Sequence, residues 1–157
     1  LSPERLREPV RMVDVGDKLP TKRTALAMGR IDVSPEVLRD VLEGRIGKGD
    51  VLAVAQVAGI MGAKLTPQLV PLCHTLPGLE GVDIRFEAGE GEIVVYAEVR
   101  CTGKTGVEME AMVACTVALL AIYDMCKSRN PGMMIKEIKL LEKTGGKSGR
   151  WTRDEHG

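Results

Sequence analysis

Asp124 and Lys127 stand three positions apart in an apolar stretch that reads as helix, so their side chains share one face. A carboxylate and an ammonium group at that spacing form either a solvated ion pair or an acid–base couple. In the couple, Lys127 holds Asp124 ionised or lends it a proton. Glu108, Met109 and Glu110 open the same stretch, where carboxylates suit the helix dipole with or without a ligand. Lysines make a third group: Lys48 in a glycine-flanked turn, Lys64 at a helix end, and Lys143 and Lys147 around Gly145-Gly146. Scattered lysines are usually solvated. A pocket for a triphosphate on a neutral protein would nevertheless need such point charges.

His74 is the one histidine outside the extreme C-terminus, in the proline-pinned loop Pro71-Leu72-Cys73-His74-Thr75-Leu76-Pro77. A lone histidine is more often structural, but loops stiffened by proline often hold ligand-reading groups. Cys73 beside it could bind metal only with ligands from elsewhere, which leaves a metal site as a minor reading. Gly103-Lys104-Thr105-Gly106 and Gly146-Lys147-Ser148-Gly149 look superficially like phosphate loops. A Walker A loop also needs a glycine five positions before its Gly-Lys pair, and Glu98 and Leu141 stand there instead. Neither is a P-loop. The first still sits where a strand enters a helix, and backbone N–H groups at a helix start attract anions.

Composition narrows the classes. In 157 residues, 22 Lys and Arg balance 22 Asp and Glu, leaving a net charge of +0 with histidine neutral. That balance argues against a nucleic-acid or membrane-surface coat. The few aromatics (Phe86, Tyr96, Tyr123 and Trp151) provide no stacking platform for single strands. At 28% charged and 44% hydrophobic the chain reads as soluble and globular, and one domain over 1–157 is expected at this length. Cys73, Cys101, Cys115 and Cys126 contain no CxxC pair and no signal peptide is recognisable, so reduced thiols in the cytoplasm are expected. The longest apolar run, Ala111 to Tyr123, is too short to span a membrane and reads as a buried helix.

Residues 1–22 carry three prolines and no periodicity, which predicts an extended arm. A first strand is predicted over 24–33. A short helix follows the Ser34 cap from Pro35 to about Glu43, and a second, capped by Asp50, covers 51–64. Three prolines predict irregular chain from Thr66 to Gly78. Alternation predicts a hairpin of 82–88 and 92–102 around Gly89-Glu90-Gly91. The long helix is predicted over 107–128, a last strand over 135–142, and a mobile tail over 145–157. Apart from one extra short helix, this is the order of an α+β, ferredoxin-like split βαβ fold with an antiparallel sheet. Glu108 and Asp124 then lie sixteen positions apart on one helix, roughly 24 Å at about 1.5 Å per residue. One small ligand cannot touch both ends of a straight helix, so if a site uses both, either a second subunit completes it or the helix breaks.

Met12-Val13-Asp14-Val15, Lys48-Gly49-Asp50-Val51, Ala58-Gly59-Ile60, Pro71-Leu72-Cys73-His74, Thr102-Gly103-Lys104-Thr105-Gly106-Val107-Glu108-Met109-Glu110-Ala111, Tyr123-Asp124-Met125-Cys126-Lys127 and Gly145-Gly146-Lys147-Ser148-Gly149 occur in that order. From about residue 12 to 150 the chain resembles the MoaC family of molybdenum cofactor biosynthesis, the cyclic pyranopterin monophosphate synthases. The resemblance implies a lyase acting on 3′,8-cyclo-7,8-dihydroguanosine 5′-triphosphate, which a radical enzyme upstream makes from GTP. Its products are cyclic pyranopterin monophosphate and pyrophosphate. By motif, Asp124 matches the family's catalytic acid/base, and Lys127 and Lys48 match its catalytic or phosphate-binding lysines. Leu72, Cys73 and His74 match its substrate-reading loop, as Glu108, Met109 and Glu110 match theirs, and Lys143 and Lys147 match its glycine-rich segment. Thr75 departs from the pattern, since many members carry proline there. The family also implies a homohexamer, a trimer of dimers with sites at the dimer interface. Ring rearrangement needs proton transfers that a carboxylate–ammonium couple provides without a redox centre, so no cofactor and no metal are expected.

Two other classes stay open on the residues alone. A nucleotide-binding regulatory module needs the lysine and glycine contacts but not Asp124, and a metal-dependent hydrolase would be built on His74 and Cys73.

Overall fold

The computed structural model describes residues 9–154. Strand β1 (Thr21–Asp32) buries Ala25, Ala27 and Ile31 at alternating positions, so one of its faces is apolar. Ser34 Oγ accepts the Val37 N–H at 3.3 Å and Pro35 opens the short helix α1 (Pro35–Leu42). Asp50 Oδ1 caps α2 (Val51–Leu69) by accepting from Ala53 N at 3.0 Å. Strands β2 (Leu79–Ala88) and β3 (Glu92–Gly103) form a hairpin that turns through Gly91, whose φ of 65° favours glycine. Helix α3 (Glu108–Cys126), strand β4 (Met134–Thr144) and the short β5 (Trp151–Thr152) follow.

The sheet is antiparallel throughout, in the order β2-β3-β1-β4-β5. With α2 and α3 its four long strands make the ferredoxin-like α+β arrangement that the sequence predicted, and α1 is the extra helix. Both long helices pack on one face of the sheet. Ala111, Ala114, Cys115, Ala118, Leu119 and Ile122 form the inner stripe of α3, which faces Ile31, Val95 and Val99 in one core. The opposite face carries charges. Arg30 pairs with Glu92 at 3.3 Å and Glu137 at 2.6 Å, and Arg100 with Asp83 at 2.7 Å. Alternation in the strands sorts the two faces.

Several boundaries differ from the sequence expectation: β2 starts at Leu79 rather than 82, β4 covers Met134–Thr144 rather than 135–142, and three further differences have a physical reason. Helix α2 runs through Pro67 to Leu69, where irregular chain was expected from Thr66. Proline removes only the bond to Ala63 O, in the last turn, while the buried Thr66 hydroxyl donates to Gly62 O at 2.9 Å. Strand β1 starts at Thr21 rather than 24, because residues 21–23 pair with 101–103, and this shortens the expected arm. The tail expected to be mobile over 145–157 contains β5, which pairs Trp151 with Lys143 and Thr152 with Glu142. Residues 1–8 of the expected arm and 155–157 of the tail lie outside the described residues.

Helices α2 and α3 approach closely because α2 offers Ala55, Gly59, Gly62 and Ala63. A Cβ at Gly59 would lie 2.2 Å from Ile84 Cδ1 and 2.9 Å from Ala114 O. Gly59→Ala therefore gains about 1 kcal/mol of helix propensity and loses about 1–3 kcal/mol to overpacking. A backbone carbonyl inside a packed helix cannot swing aside, so the clash wins. The variant is expected to unfold at a lower urea concentration than the wild type. A midpoint at or above the wild-type value would show that the two helices separate at no cost.

Candidate active site

The last turn of α3 brings Asp124 to the surface beside the glycine-rich turn between α1 and α2. Gly49, with φ of 118°, lets that turn fold back, and Arg129 clamps it in place. Arg129 Nη1 lies 2.7 Å from Asp40 Oδ2 and Nη2 donates to Arg45 O at 2.7 Å, while Arg45 Nε meets Asp40 Oδ1 at 3.0 Å. Lys48 is thereby delivered to Asp124. Its Nζ donates to the Asp124 backbone oxygen at 3.1 Å and to Oδ2 at 3.4 Å. Lys127 Nζ donates to Oδ1 at 2.6 Å.

One carboxylate therefore stands between two ammonium groups, and the trio carries a formal charge of about +1. The Lys127 hydrogen bond, with the charges of both lysines, holds the Asp124 carboxyl below its usual range. The same hydrogen bond raises Lys127 above the usual lysine range. Asp124, Lys48 and Lys127 keep 57%, 49% and 53% of their side-chain surface exposed, so water screens the pairs and they add little to stability. What the cluster offers is a proton acceptor and donor in contact, open to a ligand.

A second cluster forms at the other end of α3. Glu108 folds back over Gly106, where a Cβ would lie 2.2 Å from its Oε1, and Lys143 Nζ stands 3.6 Å from that oxygen. Met109 is exposed at the next position. Glu110 is only 3% exposed and borders a cavity of about 220 Å³ that Lys64, Thr75 and Leu76 also line. Burial pushes the Glu110 carboxyl up from its ordinary value, and the Glu108 charge adds to this. Cys73 is half-buried, and its thiol is raised by burial and by Glu110. His74 Nε2 bonds the Val13 carbonyl at the rim of a cavity of about 170 Å³ lined by Val15, Gly103 and Thr105. Leu72 is exposed on the same loop, and Lys147 is exposed in the turn closed by Gly149 N to Gly146 O at 3.2 Å. Among the described residues no three His, Cys, Asp or Glu side chains gather around one point, so Cys73 and His74 have no third ligand beside them.

The sequence reading missed Arg23, which bonds the Gly103 and Lys104 carbonyls at 3.4 and 3.3 Å. Its signal was parity. In β1 it falls in step with Ala25, Ala27 and Ile31 on the core face, where a charge has no ordinary place.

Glu110 supports a pH prediction. Its folded pKa is raised, so the folded protein resists its ionisation, and stability falls as pH rises from the unfolded value through the folded one. Glu110→Gln removes this penalty. It is expected to melt above the wild type at neutral pH and to lose that advantage below about pH 4, where the glutamate is protonated in both states. A constant difference in Tm between pH 3 and 8 would contradict it.

Within the chain the two clusters stand at opposite ends of a 19-residue helix, and no ion pair or hydrogen bond among the described residues joins them. Fold and clusters define a small α+β enzyme whose available chemistry is proton transfer and the neutralisation of anionic charge. The MoaC family model matches residues 12–146, nearly the whole chain, and the chain belongs to the MoaC family. A relative from Heliobacterium modesticaldum is 52% identical over 147 residues, covering 92% of this chain and 92% of the relative. Relatives from Brevibacillus brevis, 53% identical over 92% of this chain and 91% of the relative, and Thermomicrobium roseum, 51% identical over 95% and 90%, are equally similar. All three are named cyclic pyranopterin monophosphate synthase.

Proposed function

We propose that this chain converts 3′,8-cyclo-7,8-dihydroguanosine 5′-triphosphate to cyclic pyranopterin monophosphate and pyrophosphate, an early step of molybdenum cofactor biosynthesis. Beyond family membership, the observation that carries this reading is the Asp124 carboxylate held between Lys48 and Lys127. Asp124 takes and returns the protons that must move as the purine-derived ring opens and recloses. Lys127, in direct contact with it, is the matching donor. The Lys127 hydrogen bond and charge, with the Lys48 charge on the other side, keep Asp124 ionised between transfers.

Closing the cyclic phosphate requires a sugar-derived hydroxyl to attack the α-phosphorus while pyrophosphate leaves. That step calls for in-line positioning and neutralisation of the departing charge. Lys143 and Lys147 serve there, with Glu108, Met109 and Glu110 and the Leu72-Cys73-His74 loop holding the substrate. The proposed chemistry moves protons and a phosphoryl group, and the proton transfers need no redox group.

The assembly in this reading is a homohexamer, a trimer of dimers with each site shared across a dimer interface. In its support, the two clusters are too far apart for one small molecule. Val57, Met61 and Leu65 also leave an apolar stripe exposed along α2, and Leu120 is exposed on α3. Placement in the cytoplasm belongs to this reading, and a GTP-derived substrate together with four unpaired thiols supports it.

Incubating the chain with this substrate and following pyrophosphate release tests the activity. A non-catalytic binding module would hold the substrate without consuming it. Within the active reading, Lys127→Ala is expected to lower kcat by about a hundredfold or more, whereas Lys147→Ala mainly raises KM. Equal effects of the two on KM alone would reduce Lys127 to a point charge.

A further inference from the structure

We infer that Arg23 is a positioning residue for the phosphate end of this site, a reading that rests on the activity proposed above. Its side chain leaves the start of β1, is half-buried, and lies beside the ends of β3 and β4, the two strands that flank β1. Nε donates to Gly103 O at 3.4 Å and Nη2 donates to Lys104 O at 3.3 Å. On the other side the chain of Gly145 and Gly146 lies against it. A Cβ on Gly145 would stand 2.8 Å from Arg23 Cδ, and one on Gly146 would stand 2.3 Å from Nη1. Their φ values of 104° and 74° also favour glycine. At Gly145 a Cβ would also stand 2.1 Å from the Lys22 backbone oxygen, whereas at Gly146 only the Arg23 guanidinium would have to give way.

The guanidinium thus ties together the two segments that carry the ligand-facing groups of this end. The turn at 103–106 leads into Glu108, and Gly145-Gly146 separates Lys143 from Lys147. Lys143 closes the circuit by standing 3.6 Å from Glu108. A planar fork bonded to two carbonyls fixes an orientation that a single ammonium group does not. Arg23 spends its donors on backbone, and it sits at the opposite end of α3 from Asp124 in its own protomer. It therefore acts on how the triphosphate is held and not on proton transfer.

Steady-state kinetics on the full chain with the cyclic guanosine triphosphate derivative test this. Arg23→Gln is expected to raise KM about tenfold and leave kcat within about twofold. Arg23→Lys keeps the charge, loses the fork, and is expected to raise KM nearly as much. Gly146→Ala presses on Nη1 and is expected to reproduce the effect in a chain that retains its arginine. A fall in kcat at unchanged KM in Arg23→Gln would put the residue in the chemistry. Full recovery of KM by Arg23→Lys would make it a point charge on phosphate. Either result overturns the proposal, as does wild-type KM in all three variants. If circular dichroism shows that Arg23→Gln does not fold, Arg23→Lys and Gly146→Ala decide, and wild-type KM in both is the overturning result. A wild-type chain without turnover would overturn the activity itself, before any variant is compared.

Discussion

Asp124→Asn is expected to fold and assemble like the wild type and to turn over about 10²–10⁴-fold more slowly, the range that a positioned acid–base group contributes. The amide keeps the shape, but its single oxygen can accept from Lys127 or from Lys48 and not from both, since the two lysines bond different carboxylate oxygens in the wild type. It loses the charge and the basicity. Because the wild-type side chain is 57% exposed, removing its ion pairs costs little stability, so a drop in rate reports chemistry and not unfolding. Pyrophosphate release under saturating substrate is the measurement, with Tm as the control. A variant that turns over at near the wild-type rate would leave Asp124 as an ion-pair partner only.

The second large effect is a gain. Asp124→Asn protein and Glu108→Ala protein are each expected to be inactive, and mixing them under conditions that exchange subunits is expected to restore activity. If one protomer supplies Asp124 and its neighbour Glu108, a mixed dimer has one site with both substitutions and one with neither. Roughly half of the wild-type activity per mixed dimer is then the ceiling, by the twofold symmetry of the interface. Both residues acting in one protomer's pocket would leave every mixed site defective. Absence of recovery, with exchange proven by mass spectrometry, would refute the shared site and with it the need for an oligomer.

Much of this arrangement was readable from the residues, and the reasons are local. Alternation in β1 and β3 and the unbroken apolar run of α3 are set by which side chains water rejects, so the four long strands and two long helices follow from pattern. Ser34 and Asp50 mark their helix starts because a side-chain oxygen reaches an orphan N–H only at that position. The contact of Lys127 with Asp124 is a consequence of helical spacing, and so is the distance separating Asp124 from Glu108.

What pattern could not decide depends on groups far apart in sequence. Helix α2 continues through Pro67 because Thr66 and Ala63 are buried by tertiary packing, which outweighs one lost hydrogen bond. Strand β5 exists because β4 offers it an edge, and two residues alone show no period. Lys48 reaches Asp124 only because Arg129 and Asp40 fold the glycine-rich turn back onto the end of α3. Arg23 joins β1 to two turns some eighty and 120 positions away, contacts that no local spacing encodes. By itself, then, the sequence determined the long elements, the family and the pairs that lie within one helical turn. Only the tertiary structure decided which distant charges meet, since that is set by how the faces pack and not by the period along any one segment.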